Sequence, residues 1–266
     1  MFPIQYISFC DLSAEAWGKC WDRLKDTNAL STVKRISIGS YFCEMQFLGL
    51  DEERLSRLAA WAEQRAATFS LVIPCPRESL YGRVCRKAEA LLAYLPACDE
   101  VVLNDEAMAK LALFSGKRLV AGRTMCKYEH DSRLDNSAER VKALLRSFDI
   151  LMEGPWSCVE ADSFDASLIC REAPPETLSR LRFHMPAVML SSTRHCQFAV
   201  QDLGARGLLF PYAGCRQQCG KTWAAYRNRL LKYGRGIYQL LPPENTPPRN
   251  AICVCWPIIE TMEAME

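Results

Sequence analysis

No stretch of this 266-residue chain reaches the roughly eighteen consecutive apolar residues that a membrane-spanning helix needs. Its first residues, MFPIQYISFCDLS, hold neither a basic leader nor the uninterrupted apolar segment that directs export. The expectation is a cytoplasmic chain without a membrane span. Net charge is also scarce, at +2, so nothing draws phosphate or anionic lipid to the molecule as a whole, and a nucleic-acid site would have to come from local clustering. There is no internal repeat, no low-complexity tract and no convincing linker, and residues 1–266 read as one domain. An HExxH run and a Ser/His/Asp ordering are missing, which leaves a hydrolytic reading without catalytic support. The CxxxCxxC run of radical S-adenosylmethionine enzymes is absent too, since Gly220, Lys221 and Thr222 follow Cys219.

What is present is apolar residues, at 49% with 24% charged, enough to bury a sizeable core. Cysteine is abundant, with 14 in all. In a chain of this size without an export signal these read as reduced thiols rather than disulfides. Cys10, Cys20, Cys75, Cys85, Cys98, Cys126, Cys158 and Cys170 are not paired at ligand spacing and read as small buried hydrophobes.

From Val33 to about Leu151, short β-branched runs alternate with longer segments of helical period, the pattern of βα units around a parallel sheet. Strands are expected at Val33 to Ile38, Phe69 to Ile73, Glu100 to Leu103 and Arg118 to Ala121, with a fifth at Asp149 to Met152 and a sixth at Leu181 to His184. Between them run the helical stripes Leu55, Leu58, Ala59, Ala62, Ala66; then Val84, Ala88, Leu91, Leu95; then Ala138, Val141, Leu144, Leu145, Phe148. Asp51 with Glu53, and Asn104 with Asp105, supply caps and first-turn acids. After Cys196 the pattern changes to a glycine-containing loop, a helix from about Lys221 to Leu231, a proline-rich stretch and a short apolar run, Ala251 to Ile259. Too little chain then remains for two more βα units. The fold class is α/β: an incomplete or distorted TIM-type (β/α) barrel, its βα part about 30–195, with an irregular cysteine-bearing part about 196–266.

Cys215 and Cys219 are separated by three residues, and Cys196 precedes them. Arg194, His195, Arg216 and Lys221 nearby favour the thiolate form. Spacing alone leaves packing, zinc and an iron–sulfur cluster all open, because a CxxxC pair suits each. The fourth ligand lies between Cys43 and the pair Cys253 and Cys255. Cys43 follows the first expected strand, and in barrel folds functional loops gather at the C-terminal ends of strands, which favours Cys43.

At these residues the chain resembles the collagenase-like U-32 peptidase family, and most closely its shorter UbiV-like iron–sulfur branch. The resemblance is carried by Ile38-Gly39 leading to Cys43, by Val101-Val102-Leu103-Asn104-Asp105, by Leu119-Val120-Ala121-Gly122, and by Ser191-Ser192-Thr193-Arg194-His195-Cys196 before Cys215 and Cys219. It rests on cysteine order more than on identity. It implies a four-iron four-sulfur (4Fe-4S) cluster on Cys43, Cys196, Cys215 and Cys219, with zinc the alternative metal, and Cys253 replacing Cys43 if the last ligand comes from downstream as elsewhere in the family. It further implies dioxygen-independent hydroxylation, of a quinone precursor in ubiquinone biosynthesis or of an RNA base, by an enzyme or its cluster-bearing subunit. His184, Arg194 and His195 become the polar groups nearest the site, with Arg194 suited to hold a carboxylated donor such as prephenate. A longer family member or a second copy is the implied partner, and an unfinished barrel would leave edges for it to cover. The usual His-Gly pair is replaced here by His184-Met185-Pro186. A non-catalytic zinc-binding or scaffold protein is the competing class.

Two further groups stand out. Arg216, Lys221, Arg227, Arg229, Lys232 and Arg235 interleave with Trp223, Tyr226, Tyr233 and Tyr238, which could bind single-stranded RNA, although a helix burying Trp223, Tyr226 and Leu230 is favoured. Glu44, Arg123, Glu129, His130 and Asp131 follow strand ends and could line a pocket.

Overall fold

The computed structural model describes residues 6–11, 32–126, 137–192, 196, 200, 203–204, 215, 223–226, 230–233, 236–240 and 252–255. Its strands begin with the short β1 (Tyr6–Ser8), then β2 (Arg35–Gly39), β3 (Thr68–Ile73), β4 (Cys98–Leu103) and β5 (Arg118–Ala121). All pair in parallel with the next in sequence. The four strands expected between Val33 and Ala121 are therefore present within a few residues of their expected bounds.

Alternation along each strand sorts side chains between two cores. Ile36, Ile38, Phe69, Leu71, Val101 and Leu103 join the larger core, while Val72, Val102 and Val120 join a smaller one with Cys10, Tyr41 and Cys158. The larger core is completed by helices. A short α1 (Glu44–Leu48) buries Phe47; α2 (Glu52–Glu63) buries Leu55, Leu58 and Ala62; α3 (Glu78–Tyr94) buries Leu80, Val84, Ala88 and Leu91; α4 (Ser137–Met152) buries Val141, Leu144 and Phe148. Each fully buried Leu, Val or Phe among these contributes about 1.5–3 kcal/mol. Helix α2 starts where Asp51 accepts the amide N–H of Glu53 at 3.0 Å, the cap read from the sequence. Ala66 is not on that helix: it is exposed at φ 52 beyond the helix end.

After α4 the sheet continues as β6 (Cys158–Ala161), α5 (Ala166–Glu172), α6 (Pro175–Leu178) and β7 (Leu181–Met185). A second sheet follows, built from β8 (Ala187–Ser192), β9 (Trp223–Tyr226), β10 (Leu230–Tyr233) and β11 (Gly236–Leu240), antiparallel in the order β8-β11-β10-β9. The last strand, β12 (Ile252–Cys255), returns to the first sheet, pairing in parallel with both β7 and β1. Helices thus flank a curled parallel sheet whose pairing runs β1-β12-β7-β6-β5-β4-β3-β2 and closes on itself. The expected distortion lies in the route from β7 to β12, which passes through the antiparallel sheet. β1 and β12, which the sequence pattern did not announce, come from the two ends of the described chain and pair within the same parallel sheet.

Two expected elements are corrected. Asp149 to Met152 is not a strand but the last turn of α4; its apolar residues extend the helical period of Val141, Leu144 and Phe148, and Gly154-Pro155 follows. The fifth stave is Cys158–Ala161 instead. The stretch from Lys221 to Leu231 is not helical where described: Trp223–Tyr226 and Leu230–Tyr233 are strands. Aromatic and apolar residues favour an extended backbone here. The pairing of Tyr233 with Gly236 leaves the two residues Gly234-Arg235 between strands, a Gly-X hairpin signal.

Candidate functional site at the barrel mouth

Three strands of the ring, β2, β4 and β5, are followed or ended by residues that suit a tight exit, Gly39, Asn104 and Gly122. Gly39 takes φ 130, and a Cβ there would overlap the Val72 carbonyl. Only glycine fits such a position. At Gly122 a Cβ would overlap the Asn104 amide oxygen, which accepts the backbone and side chain of Thr124 at 3.3 and 2.8 Å. Asn104 Nδ2 meanwhile donates to the Ile73 carbonyl at 3.0 Å. The Gly39, Asn104 and Gly122 features of the sequence are thus turn-makers that tie β3, β4 and β5 together.

Beyond β1, Asp11 is buried and organises the loop leaving β2. Its carboxylate accepts the Ser40 hydroxyl and the Tyr41 amide, and its carbonyl accepts Gln46 Nε2 at 3.0 Å. Burial raises the Asp11 carboxyl pKa, against these hydrogen bonds. Ser40 Oγ in turn accepts the Cys43 amide at 2.8 Å. Cys43 is buried, and its carbonyl accepts the Phe47 N–H at the start of α1. Glu44, next along, is buried, and its carboxylate accepts the Arg77 amide at 3.3 Å.

A cluster of ionisable groups occupies the same end of the ring. His184 on β7 places Nε2 3.1 Å from Oε2 of Glu160 on β6, with both side chains fully buried. The Tyr41 ring meets His184 edge-on at 5.2 Å. Arg123, after β5, forms a bidentate pair with Asp162, after β6, and its guanidinium lies 5.5 Å from the Tyr41 ring centroid and 5.6 Å from that of Tyr238 on β11. Asp162 also accepts the Met189 amide of β8 at 2.8 Å, so the antiparallel sheet is fastened to the barrel at this cluster.

Burial pushes the Glu160 carboxyl up to about 7, although Arg182, Tyr41 and Arg123 favour its ionised form. Burial, aided by Arg123, keeps the His184 imidazole neutral well below its usual range. The Tyr41 hydroxyl couples to Glu160, yet among the described residues neither that hydroxyl nor Glu160 Oε1 has a hydrogen bond of full geometry. A buried carboxyl shifted towards neutrality beside a neutral imidazole can hold or release a proton near physiological pH.

A second charged tier lies nearer the N-terminal ends of the strands. Arg182 grips both Glu100 carboxylate oxygens at 2.7 Å, Ser70 Oγ donates to one at 2.5 Å, and Arg118 reaches the other at 3.1 Å. Burial opposes its ionisation, but Arg182 and Arg35 hold the Glu100 carboxyl below the usual range. Arg35 is anchored bidentately on Asp99 at 2.6 and 3.0 Å.

Of the residues expected at the site, His184 and Arg123 lie in the cluster, and Cys43 lies on the adjoining loop. Cys196 is buried, with its carbonyl accepting the Val200 N–H, and Cys215 is half-buried. Arg194, His195, Cys219, Glu129, His130 and Asp131 lie outside the described residues, as do Arg216, Lys221, Arg227, Arg229 and Arg235. Cys253 is in register with Phe183 and Cys255 with Met185. Among the described residues no group of three or more His, Cys, Asp or Glu is arranged to hold a metal ion. The sequence reading missed Glu160, Asp162, Tyr41 and Asp11. The available signal was Glu160 inside CVEA, where an acid at an inward strand position is costly unless it has partners. No protein-family model and no curated protein sequence matches this chain.

Proposed function

We propose that the protein is an iron–sulfur enzyme, or the cluster-bearing subunit of one, of U-32 type, whose substrate site is the C-terminal mouth of a distorted TIM-type ring. The observation that supports this best is the position of Cys43, buried two residues beyond Tyr41, on the loop that Asp11 and Ser40 hold beside the Glu160–His184 cluster. Functional groups of parallel barrels collect at this end. An all-thiol donor set of Cys43, Cys196, Cys215 and Cys219 suits a cubane cluster or zinc, and neither needs oxygen ligands. A cluster there would supply electron transfer. The chain's own residues do the rest: Arg123, charge-balanced by Asp162, and the rings of Tyr41, Phe42 and Tyr238 wall the mouth, and Arg194 would hold a carboxylated donor.

By resemblance the reaction is dioxygen-independent hydroxylation of an aromatic quinone precursor, or of an RNA base, together with a longer relative or a second copy of this chain. The test is anaerobic purification, an absorption spectrum and analysis for iron, sulfide and zinc. The expected result is a broad shoulder in the visible blue with about four irons per chain. Replacement of Cys43, Cys196, Cys215 or Cys219 by Ser should abolish it, and replacement of Cys75 or Cys98 should not. Colourless, zinc-loaded protein would instead support the zinc scaffold. Full iron in Cys43→Ser with loss in Cys253→Ser would move the fourth ligand downstream.

A further inference from the structure

We propose that Glu160 is the acid–base group of the barrel-mouth site, that His184 is its positioning partner, and that together they act on the hydroxyl of a planar phenol or enol held among Tyr41, Phe42 and Tyr238. The inference rests on reading the barrel mouth as the substrate site, and it names that site's substrate class. Its foundation is geometry. Glu160 uses one carboxylate oxygen, Oε2, on His184 Nε2 at 3.1 Å. The other oxygen, Oε1, and the Tyr41 hydroxyl are fully buried; the hydroxyl couples to the Glu160 carboxyl, but neither atom makes a hydrogen bond of full geometry among the described residues. Buried polar atoms in that state cost free energy unless a ligand oxygen or another partner completes them.

The walls select the ligand's shape. Tyr41 and Phe42 have ring centroids 6.0 Å apart, and Phe42 and Tyr238 are 6.3 Å apart in a tilted, edge-on arrangement. Aromatic rings prefer such offset and edge contacts with a further planar ring. A hydroxyl on that ring would sit between Glu160 Oε1 and the Tyr41 hydroxyl; once the substrate oxygen has given up its proton, the intact Tyr41 hydroxyl can donate to it.

The proton step balances within the site. The substrate O–H bond breaks, its electron pair stays on the oxygen as phenolate or enolate, and the proton passes to Oε1 of the Glu160 carboxylate. The reverse transfer returns it to the product. The groups around the pair are Cys10 beyond β1, Tyr41 beyond β2, Arg123 beyond β5, Asp162 beyond β6, and Arg182 with Glu100 in the lower tier. A Glu160 carboxyl near 7 lies only about three pK units below an ordinary phenol, within reach of a general base, whereas an aliphatic alcohol is far outside it.

The test uses 3-nitrophenol as probe, with anaerobically purified full-length protein at about pH 7.5, where a carboxyl near 7 is mostly ionised and the free probe is still mostly un-ionised. Wild type should turn the probe into its yellow phenolate on binding, and Glu160→Gln should lose that band at least tenfold. Glu160→Asp, which keeps the charge but withdraws it by one methylene, should weaken it while circular dichroism stays unchanged. His184→Gln should keep the band but move its pH midpoint by about a unit, which a merely structural histidine would not do. No band in wild type, or an equal band in folded Glu160→Gln or Glu160→Asp, overturns the proposal. Iron and sulfide are measured on the same samples: a Glu160-dependent band without iron sinks the cluster reading alone, and iron without the band sinks the acid–base pair alone.

Discussion

Glu100 and Glu160 are both fully buried inside one ring, and their surroundings drive them in opposite directions. Glu100 stays ionised because Arg182 grips both its oxygens and Arg35 lies close by. Removing one partner of such a buried pair leaves the other charge uncompensated, at a cost of about 3–5 kcal/mol. Glu100→Gln should therefore lower the urea midpoint by that equivalent, and an unchanged midpoint would show that Arg182 is satisfied elsewhere. Glu160 faces a neutral imidazole instead, and burial raises its carboxyl from 4.5 to about 7. Between those values the unfolded chain releases a proton that the folded chain keeps. Glu160 thus costs stability progressively as pH rises through this window, up to about 3 kcal/mol above it. His184, kept neutral when folded, acts the other way, since its contribution is lost as pH falls below about 6.5 and the unfolded chain binds a proton. The stability of Glu160→Gln relative to wild type should then rise from pH 5 to pH 8 in urea titrations. A flat difference would mean that Glu160 is ionised throughout.

At the scale of elements, the legible parts were those whose period is local. β2 to β5 and β7 could be read because β-branched runs alternate with helical stripes, and Asp51 marks its own helix. β1 was missed because its three residues gain their stability from both neighbours rather than from a pattern. β6 was missed because its inward Glu160 breaks the apolar pattern that normally marks a buried strand. Within the site, Cys43 and His184 could be read from position and residue type, whereas the Glu160–His184 pair becomes visible only when β6 lies beside β7. The residues quoted at strand ends, Gly39, Asn104 and Gly122, are where the chain makes tight turns, and the structure supplies the reason. Gly39→Ala is a sharp test, because the new Cβ would overlap the Val72 carbonyl at φ 130, and β2 or its exit loop must shift. We expect a loss of about 2 kcal/mol or more in urea, with faster hydrogen exchange at Ser40, whose amide donates to the Val72 carbonyl at 3.1 Å. Gly116, also at positive φ but with open space around it, should tolerate alanine at a smaller cost. Equal losses would remove the close approach from the argument.

For the whole molecule, the decisive pairing is the one that no local pattern announces. β12 is separated by the antiparallel sheet from β7, its nearer neighbour in sequence, and it meets β1 from the opposite end of the chain. Its pairing places Val254 in register with both His184 and Tyr6. Such long-range pairing is costly in chain entropy and rewards the fold only when complete, so the ring should behave as one cooperative unit. Proline at a central strand position removes a ladder donor. Val254→Pro should therefore open the ring between β1 and β7. Reporters are already inside: Cys10 and Cys158 are buried in the small core with Val72, Val102 and Val120, whereas Cys126 is buried in the larger core. With excess thiol reagent, Cys10 and Cys158 should react at least tenfold faster in Val254→Pro than in wild type, and Cys126 should change less. Glu89→Ala on the exposed face of α3 should leave all three rates unchanged. Unaltered rates at Cys10 and Cys158 in Val254→Pro would mean that β12 rests against the ring without closing it.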